Sequence, residues 1–241
     1  MQYSNKVCFS VSGRRALFSD PLTRVGGEKF TYPIPTYEAL KGIAESIFWK
    51  PTFVWVIDRV RIMKRIETEC VGVRPILYGG GNTLSMYTYL KEPEYIVEAH
   101  FEWNECRADL ECDRNENKHF YIAKRMIEKG GRRDIFLGTR ECQGYVEPCG
   151  FFDTAGDYDN SGEQSFALMV HGIDYPDEYG DDKLRLRMWY PKMVNGVIDF
   201  PRPEDCTVRR VIRKSSVKTF SAGENFSPID DLFLQEGGVP E

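Results

Sequence analysis

A lysine and a histidine stand side by side where a polar stretch gives way to helical spacing, in DRNENKHFYIAKRMIEKGG at residues 113–131. Asparagine is a preferred helix N-cap, so Asn115 or Asn117 places Lys118 and His119 in the first turn of a predicted helix. Helix N-termini offer unpaired N–H groups and partial positive charge, which favour a bound phosphate and a neutral imidazole. The pair therefore has the residue types needed for acid–base chemistry on a phosphodiester.

Self-cleavage of RNA is the reaction with these requirements. A ribose 2′-hydroxyl attacks the adjacent phosphorus and the 5′-oxygen leaves, so a base, an acid and a cation suffice without a metal. Lys118 would supply the cation and His119 the proton transfer. The competing interpretation is a surface Lys–His pair placed at a helix start for solubility. Adjacency alone does not separate the two.

Other candidate sites have weaker patterns. The segment YGGGNT, which contains Gly79–Gly81, lacks the lysine and the serine or threonine of a phosphate-binding loop, so a flexible turn is predicted. Cys106, Cys112 and His119 lack the spacing of a zinc finger or ribbon, so scattered thiols are the preferred interpretation. The other two histidines are interpreted as core or surface residues. We expect no metal and no cofactor.

Length and composition are those of an ordinary globular chain. The 241 residues are 41% hydrophobic, enough to bury one large core or two small ones. No apolar run reaches the roughly 20 residues that span a bilayer, and the first residues lack the apolar core of a secretion signal. The seven cysteines form no C-x-x-C pair, so reduced thiols are expected. We therefore expect a cytoplasmic protein with no membrane partner.

Charge is unevenly distributed along the chain. The net charge of −5 argues against a uniformly basic nucleic-acid binder. Residues 202–218, RPEDCTVRRVIRKSSVK, are nevertheless basic, whereas the stretch DYPDEYGDD is acidic. The basic run is either a solvated face or a track for phosphates.

Periodicity predicts an α+β chain. KVCFSVSG is typical of a strand, and TYEALKGIAESIFWKP has helical spacing between the N-cap Thr36 and Pro51. Strands are predicted after this helix, within TFVWVIDRVRIMKRIETECVGV, YIVEAHFEW and RECQGYVEP, and Gly130 and Gly131 close the helix that precedes the last of them. The order strand, helix, strand, strand, helix, strand is the split βαβ pattern of ferredoxin-like folds, which RNA-recognition modules commonly use.

The second part of the chain has a different sequence pattern. From about Gly150 onward, short strand patterns are separated by Gly, Pro, Asn and Asp, with little helical periodicity. We therefore predict a ferredoxin-like, RNA-recognition-motif-like domain at residues 1–149 that holds RNA and the catalytic groups. A β-rich C-terminal extension is predicted at residues 150–241.

Four segments, in this order and spacing, resemble a known family: TYPIPTYEALKGIAESIFWKP, YIVEAHF, NKHFYIAKRMIEKGG and DIFLGTRECQGYV. The chain is similar over most of residues 5–215 to the CRISPR-associated Cas five family of the RAMP superfamily, in its subtype I-C (d/Dvulg) branch. The resemblance implies an RNA-recognition-like N-terminal domain with a β-sheet extension. It also implies metal-independent cleavage of CRISPR repeat stem-loops in precursor RNA, leaving a 2′,3′-cyclic phosphate and giving guide crRNA.

The resemblance also implies roles for particular residues and partners. The family's Lys–His dyad matches Lys118 and His119, and the protein would stay on the 5′ handle of its crRNA with other subunits of the type I-C interference (Cascade) complex. Six basic residues are expected to line one RNA-binding surface: Arg132, Arg133, Arg209, Arg210, Arg213 and Lys214.

One departure from the family bears on catalysis. Members of the branch carry a tyrosine in the motif SIYWKP, and this chain has SIFWKP with Phe48 at that position. Phenylalanine neither donates nor accepts a proton, so we expect a slower enzyme in which base stacking by the ring persists. The alternative is a crRNA-handle-binding subunit with weak or absent cleavage, and the third hypothesis is an unrelated ferredoxin-like interaction domain.

Overall fold

The computed structural model describes residues 4–21, 23 and 27–215, and it is a sheet-rich α+β structure. The helices of this part are α1 (Tyr37–Ile47), α2 (Glu116–Glu128) and the single turn α3 (Pro176–Tyr179). The strands of the same part are β1 (Val7–Gly13), β2 (Arg15–Ala16), β3 (Lys29–Phe30), β4 (Phe53–Ile62), β5 (Thr68–Val73), β6 (Ser85–Lys91), β7 (Glu94–Trp103), β8 (Ile135–Phe136), β9 (Gln143–Pro148), β10 (Glu163–Ser165), β11 (Met169–Asp174), β12 (Lys183–Trp189), β13 (Lys192–Val194), β14 (Val197–Asp199) and β15 (Val208–Lys214). In the described residues no helix is long and apolar enough to cross a membrane.

Local sequence signals determine the ends of α1. The hydroxyl of Thr36 accepts a hydrogen bond from the Ala39 amide at 3.2 Å, which confirms the predicted N-cap. The helix ends at Ile47, four residues before Pro51. Its apolar face is buried, with Leu40 and Ile43 in the main core.

Both ends of α2 are also capped as predicted. The side chain of Asn115 accepts from the Lys118 amide at 3.0 Å. At the other end Gly130 and Gly131 have φ of 79° and 105°. Their amides donate to the carbonyls of Ile127 and Met126 at 3.0 and 2.7 Å, which is the Schellman pattern that glycine permits.

An eight-stranded sheet forms the centre of the described structure, in the order β10-β13-β14-β4-β7-β1-β9-β8. Strands β4, β7, β1 and β9 come from residues 7–148 and pair antiparallel in its middle. Helix α1 packs on β4 and helix α2 packs on β1 and β9. The buried apolar residues of both helices and of these strands make one contiguous core.

The described residues from 150 to 215 are β-rich, and they continue the central sheet. Strand β14 pairs with β4 through residues Val197–Asp199 and Arg59–Arg61, so β10, β13 and β14 extend the sheet at that edge. A separate three-stranded sheet, β11-β12-β15, packs on α1 through β11. The β-branched stretch at residues 52–73 forms two strands, and the second of them, β5, pairs with β6, which also pairs with β2 and β3 in a four-stranded sheet.

Buried charges join α1 to the three-stranded sheet. The Lys41 amine bonds to the Glu178 carboxylate at 2.6 Å, and Glu38 accepts from the Ile173 amide at 3.0 Å. The guanidinium of Arg187, only 2% exposed, pairs with the fully buried Asp174 carboxylate. Burial and neighbouring carboxylates raise the pKa of Glu45, on the same helix, to about 7.

Candidate active site and RNA interface

The imidazole of His119 lies in a closed aromatic cage. It is 0% exposed, and Phe53 and Phe101 on the sheet face α2 at ring-centroid distances of 5.3 and 6.2 Å. The rings of Phe48 and Trp103 complete the cage at 6.0 and 5.9 Å. His119 is therefore a core residue in this structure, and the pair at residues 118–119 is not a simple surface pair.

Hydrogen bonding assigns the protonation of the two ring nitrogens. His119 Nε2 lies 2.8 Å from the backbone carbonyl oxygen of Asp113. A carbonyl oxygen only accepts, so the Nε2 atom carries the proton and Nδ1 holds the free lone pair. In the described part of the chain that Nδ1 atom is buried and has no hydrogen-bond partner. An unpaired buried acceptor costs roughly 1–3 kcal/mol, and this one is the atom of the pair that is able to take a proton.

The side chain of Lys118, the residue before His119, points toward solvent. Its side chain is 48% exposed, and its amine pairs with the Asp113 carboxylate. That carboxylate also accepts from the Thr52 hydroxyl at 2.9 Å. The hydrogen bonds from Lys118 and Thr52 lower the pKa of Asp113, so the residue is a carboxylate at neutral pH.

The backbone amides of Lys118 and His119 are themselves hydrogen-bonded within the helix cap. The Lys118 amide donates to the Asn115 side chain, and the His119 amide donates to the Asn115 carbonyl at 3.1 Å. With Asn115 as N-cap, His119 is the fourth helical residue and closes the first intrahelical bond. A phosphate at this end would be bound by the Lys118 side chain and the helix dipole rather than by these two amides.

Phe48, the residue that follows the last residue of α1, contacts His119. Its ring is 3% exposed and stacks on the His119 ring, with 29° between the ring planes. Its carbonyl accepts from Trp55 Nε1 at 2.7 Å, which anchors the backbone at this point. The next residue, Trp49, is 43% exposed. The structure thus brings Phe48, Lys118 and His119 together and places an exposed aromatic ring beside them.

Arg132 and Arg133 lie next to this site in the chain that follows α2. Their amides donate to the carbonyls of Ile47 and Ser46 at 3.1 and 3.0 Å, so the loop is tied to the C-terminal end of α1. Both side chains are exposed. They line an open groove of about 630 Å³ together with Tyr145, which is 63% exposed. Cations beside an exposed aromatic ring suit a single-stranded nucleic acid.

The outer face of α2 adds basic residues that the sequence analysis missed. Lys118, Tyr121, Lys124 and Arg125 line a second shallow groove of about 630 Å³. Spacing of three, four and seven residues places them on one helical face, so the periodicity of the sequence contained the signal. The face leads from Lys118 toward the loop that carries the two arginines.

The basic run near the C-terminal end forms the exposed edge strand β15, whose pairing partner is β12. Arg209 is tied to the carbonyls of Cys206 and Pro203 at 3.1 and 2.6 Å. Arg210, Arg213 and Lys214 are exposed along the same strand. The residues of the run after 215 lie outside the described part.

The two groups of predicted RNA-binding residues line different grooves. Arg213 lines a groove of about 650 Å³ with Trp49 and Arg107, and Arg132 and Arg133 line the groove beside Tyr145. Both grooves border the end of α1, where Phe48 and Trp49 lie. The first groove also contains acidic side chains, Asp177, Glu178 and Asp181.

The sheet face that is turned away from α2 is rich in ion pairs. Glu98 and His100 alternate on β7 with Phe101, whose ring faces His119, so they point to the opposite side. Glu98 bonds to Lys6 at 2.7 Å, and His100 Nδ1 lies 3.0 Å from Asp58. This face of the sheet therefore carries carboxylates and their partners.

The other histidines and the cysteines considered as metal ligands occupy separate places in the structure. His100 and His171 are both 0% exposed and hydrogen-bonded in the core. Cys106 and Cys112 are exposed free thiols. Across residues 4–21, 23 and 27–215, no three His, Cys, Asp or Glu side chains are grouped as metal ligands.

Comparison with known proteins places the chain among the CRISPR-associated proteins. The family model described as CRISPR-associated protein (Cas_Cas5), in its Cas5d form, matches residues 7–201. A protein of Mannheimia succiniciproducens named CRISPR pre-crRNA endoribonuclease Cas5d is 26% identical over 230 residues, which cover 82% of this chain and 96% of that protein. A protein of the same name from Thermus thermophilus is 29% identical over 148 residues, covering 57% of this chain and 62% of that protein.

Two solved structures share the fold. One described as the crystal structure of a CRISPR-associated protein has a TM-score of 0.73 at 36% identity, covering 85% of this chain and 96% of that chain. The other, the functionally uncharacterized protein SMU1763c of Streptococcus mutans, has a TM-score of 0.71 at 38% identity with the same coverage. The family model spans most of the sequence, so the chain belongs to the CRISPR-associated Cas5 family, in its type I-C (Cas5d) branch.

Proposed function

We propose that this protein is a metal-independent endoribonuclease that cuts CRISPR repeat stem-loops in precursor RNA. Membership of the Cas5d branch supports the activity, because two relatives are named pre-crRNA endoribonucleases. The observation that carries the proposal is the convergence of Phe48, which follows α1, with Lys118 and His119 of α2. The rings of Phe48 and His119 stack in the interior, and the Lys118 amine is exposed beside them.

In the proposed reaction the 2′-oxygen bonds to phosphorus as the bond from phosphorus to the 5′-oxygen breaks. The 2′-proton passes to a base and a proton is delivered to the 5′-oxygen, which gives a 2′,3′-cyclic phosphate and a 5′-hydroxyl end. The free lone pair of His119 Nδ1 is suited to accept a proton, and the Lys118 amine to stabilise charge on the phosphoryl oxygens. Because His119 is buried, the cage has to open on one side when RNA binds.

We infer that residues 1–149 form a ferredoxin-like domain. The order β4-β7-β1-β9 of the antiparallel strands, with α1 after β1 and α2 after β7, supports this topology. The β-rich residues from 150 onward serve as an extension that shares the central sheet. In this division the first part carries the catalytic groups and both parts contribute basic residues.

The RNA path we propose avoids the acidic face of the sheet. Arg132 and Arg133 are tied to the end of α1 by their amides, and Arg213 lines the groove that Trp49 borders. Arg210 and Lys214 belong to the same strand as Arg213, β15. Arg209, whose side chain is held by backbone carbonyls, contributes less. The protein keeps the 5′ handle of the crRNA after cleavage and holds it as a subunit of the type I-C interference complex, as the family resemblance implies.

A second function is favoured by two observations at the same site. Phe48 lacks a hydroxyl, and the imidazole of His119 is fully enclosed. A protein with these features would hold the crRNA handle in the complex and cut weakly or not at all. The two functions share the fold, the RNA and the partners, and they differ only in the chemical step.

One experiment separates them. Purified full-length protein is incubated with its own repeat RNA in EDTA, and the products are analysed for length and end chemistry. A discrete cut with a 2′,3′-cyclic phosphate that is lost in His119→Phe supports the nuclease. Tight binding of intact RNA by both proteins supports the handle-binding subunit.

A further inference from the structure

Asp113 contacts both members of the proposed catalytic pair. Its carboxylate pairs with the Lys118 amine, and its carbonyl accepts from His119 Nε2 at 2.8 Å. One carboxylate oxygen also lies 3.4 Å from the same nitrogen. The residue stands just before the N-cap Asn115 and bonds through its side chain to Thr52 at the start of β4.

The carboxylate lies where a phosphate bound by the pair would have to come. A phosphodiester near Lys118 would be within a few ångströms of the Asp113 carboxylate, and two anions at that distance repel each other. Hydrogen bonds from Lys118 and Thr52 lower the pKa of Asp113, so protonation does not remove the conflict at neutral pH. A phosphate bound by Lys118 would therefore have to displace the Asp113 carboxylate from the amine.

The segment that carries Asp113 is held by few apolar contacts. It is the last residue of a 3-10 helix, Ala108–Asp113, in which no side chain is buried. Segments with little buried apolar surface move at low free-energy cost. Movement of this segment would change the surroundings of His119, because the His119 ring donates from Nε2 to the Asp113 carbonyl.

We propose that Asp113 is a positioning residue that keeps the Lys118–His119 pair closed until an RNA phosphate displaces its carboxylate from Lys118. Its carbonyl holds His119 in the Nε2–H tautomer, so that Nδ1 is ready to take a proton, and its carboxylate occupies the place of the phosphate. This inference rests on the proposed function in one respect, namely that the phosphate that displaces Asp113 belongs to RNA.

The test compares the wild type with Asp113→Asn and with Asp109→Asn. Asp109 is an acidic residue of the same 3-10 helix that pairs with Arg107 at 2.8 Å, so it controls for loss of one negative charge in this segment. The probe is the repeat RNA with every ribose 2′-O-methylated, which cannot be cut. Dissociation constants are measured at low salt, and imidazole signals are followed by NMR with ¹⁵N-labelled histidine, since the chain has three histidines.

We expect Asp113→Asn to bind this RNA roughly threefold to tenfold more tightly than the wild type, because a like charge is removed from the phosphate position. Asp109→Asn should change affinity less than about twofold. In free wild type and free Asp113→Asn, the spectrum should show His119 with the proton on Nε2, because the backbone carbonyl is unchanged. Saturation with RNA should shift these signals in the wild type.

Equal or weaker binding by Asp113→Asn at an unchanged melting temperature would overturn the inference. If Asp113→Asn is unstable, the NMR spectrum of the wild type is the test. His119 signals that do not shift when the protein is saturated with RNA would contradict an opening of the cage. Cleavage of unmodified RNA is scored separately. Absence of cleavage together with the expected binding and spectra would refute the nuclease and retain Asp113 as the residue that controls access to the pair.

Discussion

The ring of Phe48 stacks on the ring of His119, with 6.0 Å between their centroids and 29° between their planes. One residue ends α1 and the other belongs to the start of α2, so the packing of the two helices sets this relationship. Phe48, at the position where the resemblance implies a tyrosine, is therefore stacked on the histidine of the proposed dyad. A hydroxyl on this ring would lie close to the reacting groups.

Restoring that hydroxyl should accelerate cleavage. General acid–base groups contribute about 10² to 10⁴ in rate, and even partial recovery in Phe48→Tyr should raise the single-turnover rate about tenfold or more. The control is Phe120→Tyr, which adds a hydroxyl to a neighbouring, partly exposed ring on α2. Equal rates for the wild type and Phe48→Tyr would mean that another group already performs this proton transfer.

Replacing His119 should separate its chemical role from its packing role. His119→Ala leaves a cavity among four aromatic rings and should lower the free energy of unfolding by about 2–4 kcal/mol in urea titrations. His119→Phe refills the cage without a nitrogen and should lose less stability. Both variants should fail to cut while His119→Phe still binds RNA. Cleavage by His119→Phe would exclude the imidazole from the reaction.

The salt dependence of RNA binding should distinguish phosphate contacts from solvated charges. Each phosphate contact that is lost lowers the slope of log affinity against log salt by up to about one unit, so Arg132→Ala and Arg213→Ala should each do so. Arg209→Ala should change the slope less, because its guanidinium is bound to the carbonyls of Cys206 and Pro203. An unchanged slope for Arg213→Ala would identify β15 as a solvated face.

Stability should depend on pH through Glu45. Burial raises its pKa to about 7 in the folded protein, above the ordinary value of 4.5. The folded state therefore retains a proton that the unfolded chain releases, and this contribution to stability decreases as pH rises from 4.5 to about 7. The melting temperature of Glu45→Gln, relative to the wild type, should increase over this range, whereas that of Glu163→Gln, an exposed control, should not. A difference in melting temperature between Glu45→Gln and the wild type that stays constant with pH would contradict the raised pKa of Glu45.

Capping chemistry made the helices predictable, because caps depend on neighbouring residues. Thr36, Asn115 and the glycine pair at 130–131 all act as their types indicate. The partner of β5 was not predictable in this way. Strand β6 pairs with it across a loop, and strand pairing depends on contacts that the local pattern does not specify.

The burial of His119 could not be predicted from the local sequence pattern either, because it depends on contacts between distant segments. Its position after Asn115 indicated a helix start, but its burial comes from Phe53, Phe101 and Trp103 on strands that are distant in sequence. The group of residues around Lys118 could be predicted in part from the sequence. Tyr121 and Arg125 lie three and seven residues after Lys118, at helical spacing, whereas Asp113 precedes the helix and its contact with the pair depends on the fold of the segment before it.

The continuation of the central sheet into the C-terminal part has a consequence for dissecting the protein. A fragment that ends near residue 149 would leave the outer edge of β4, now paired with β14 along residues 59–61, without a neighbour. Open strand edges recruit other chains, so such a fragment would self-associate. The roles of the two parts must therefore be distinguished by point substitutions at exposed side chains, and a shortened chain is the wrong reagent for assigning activity to either part.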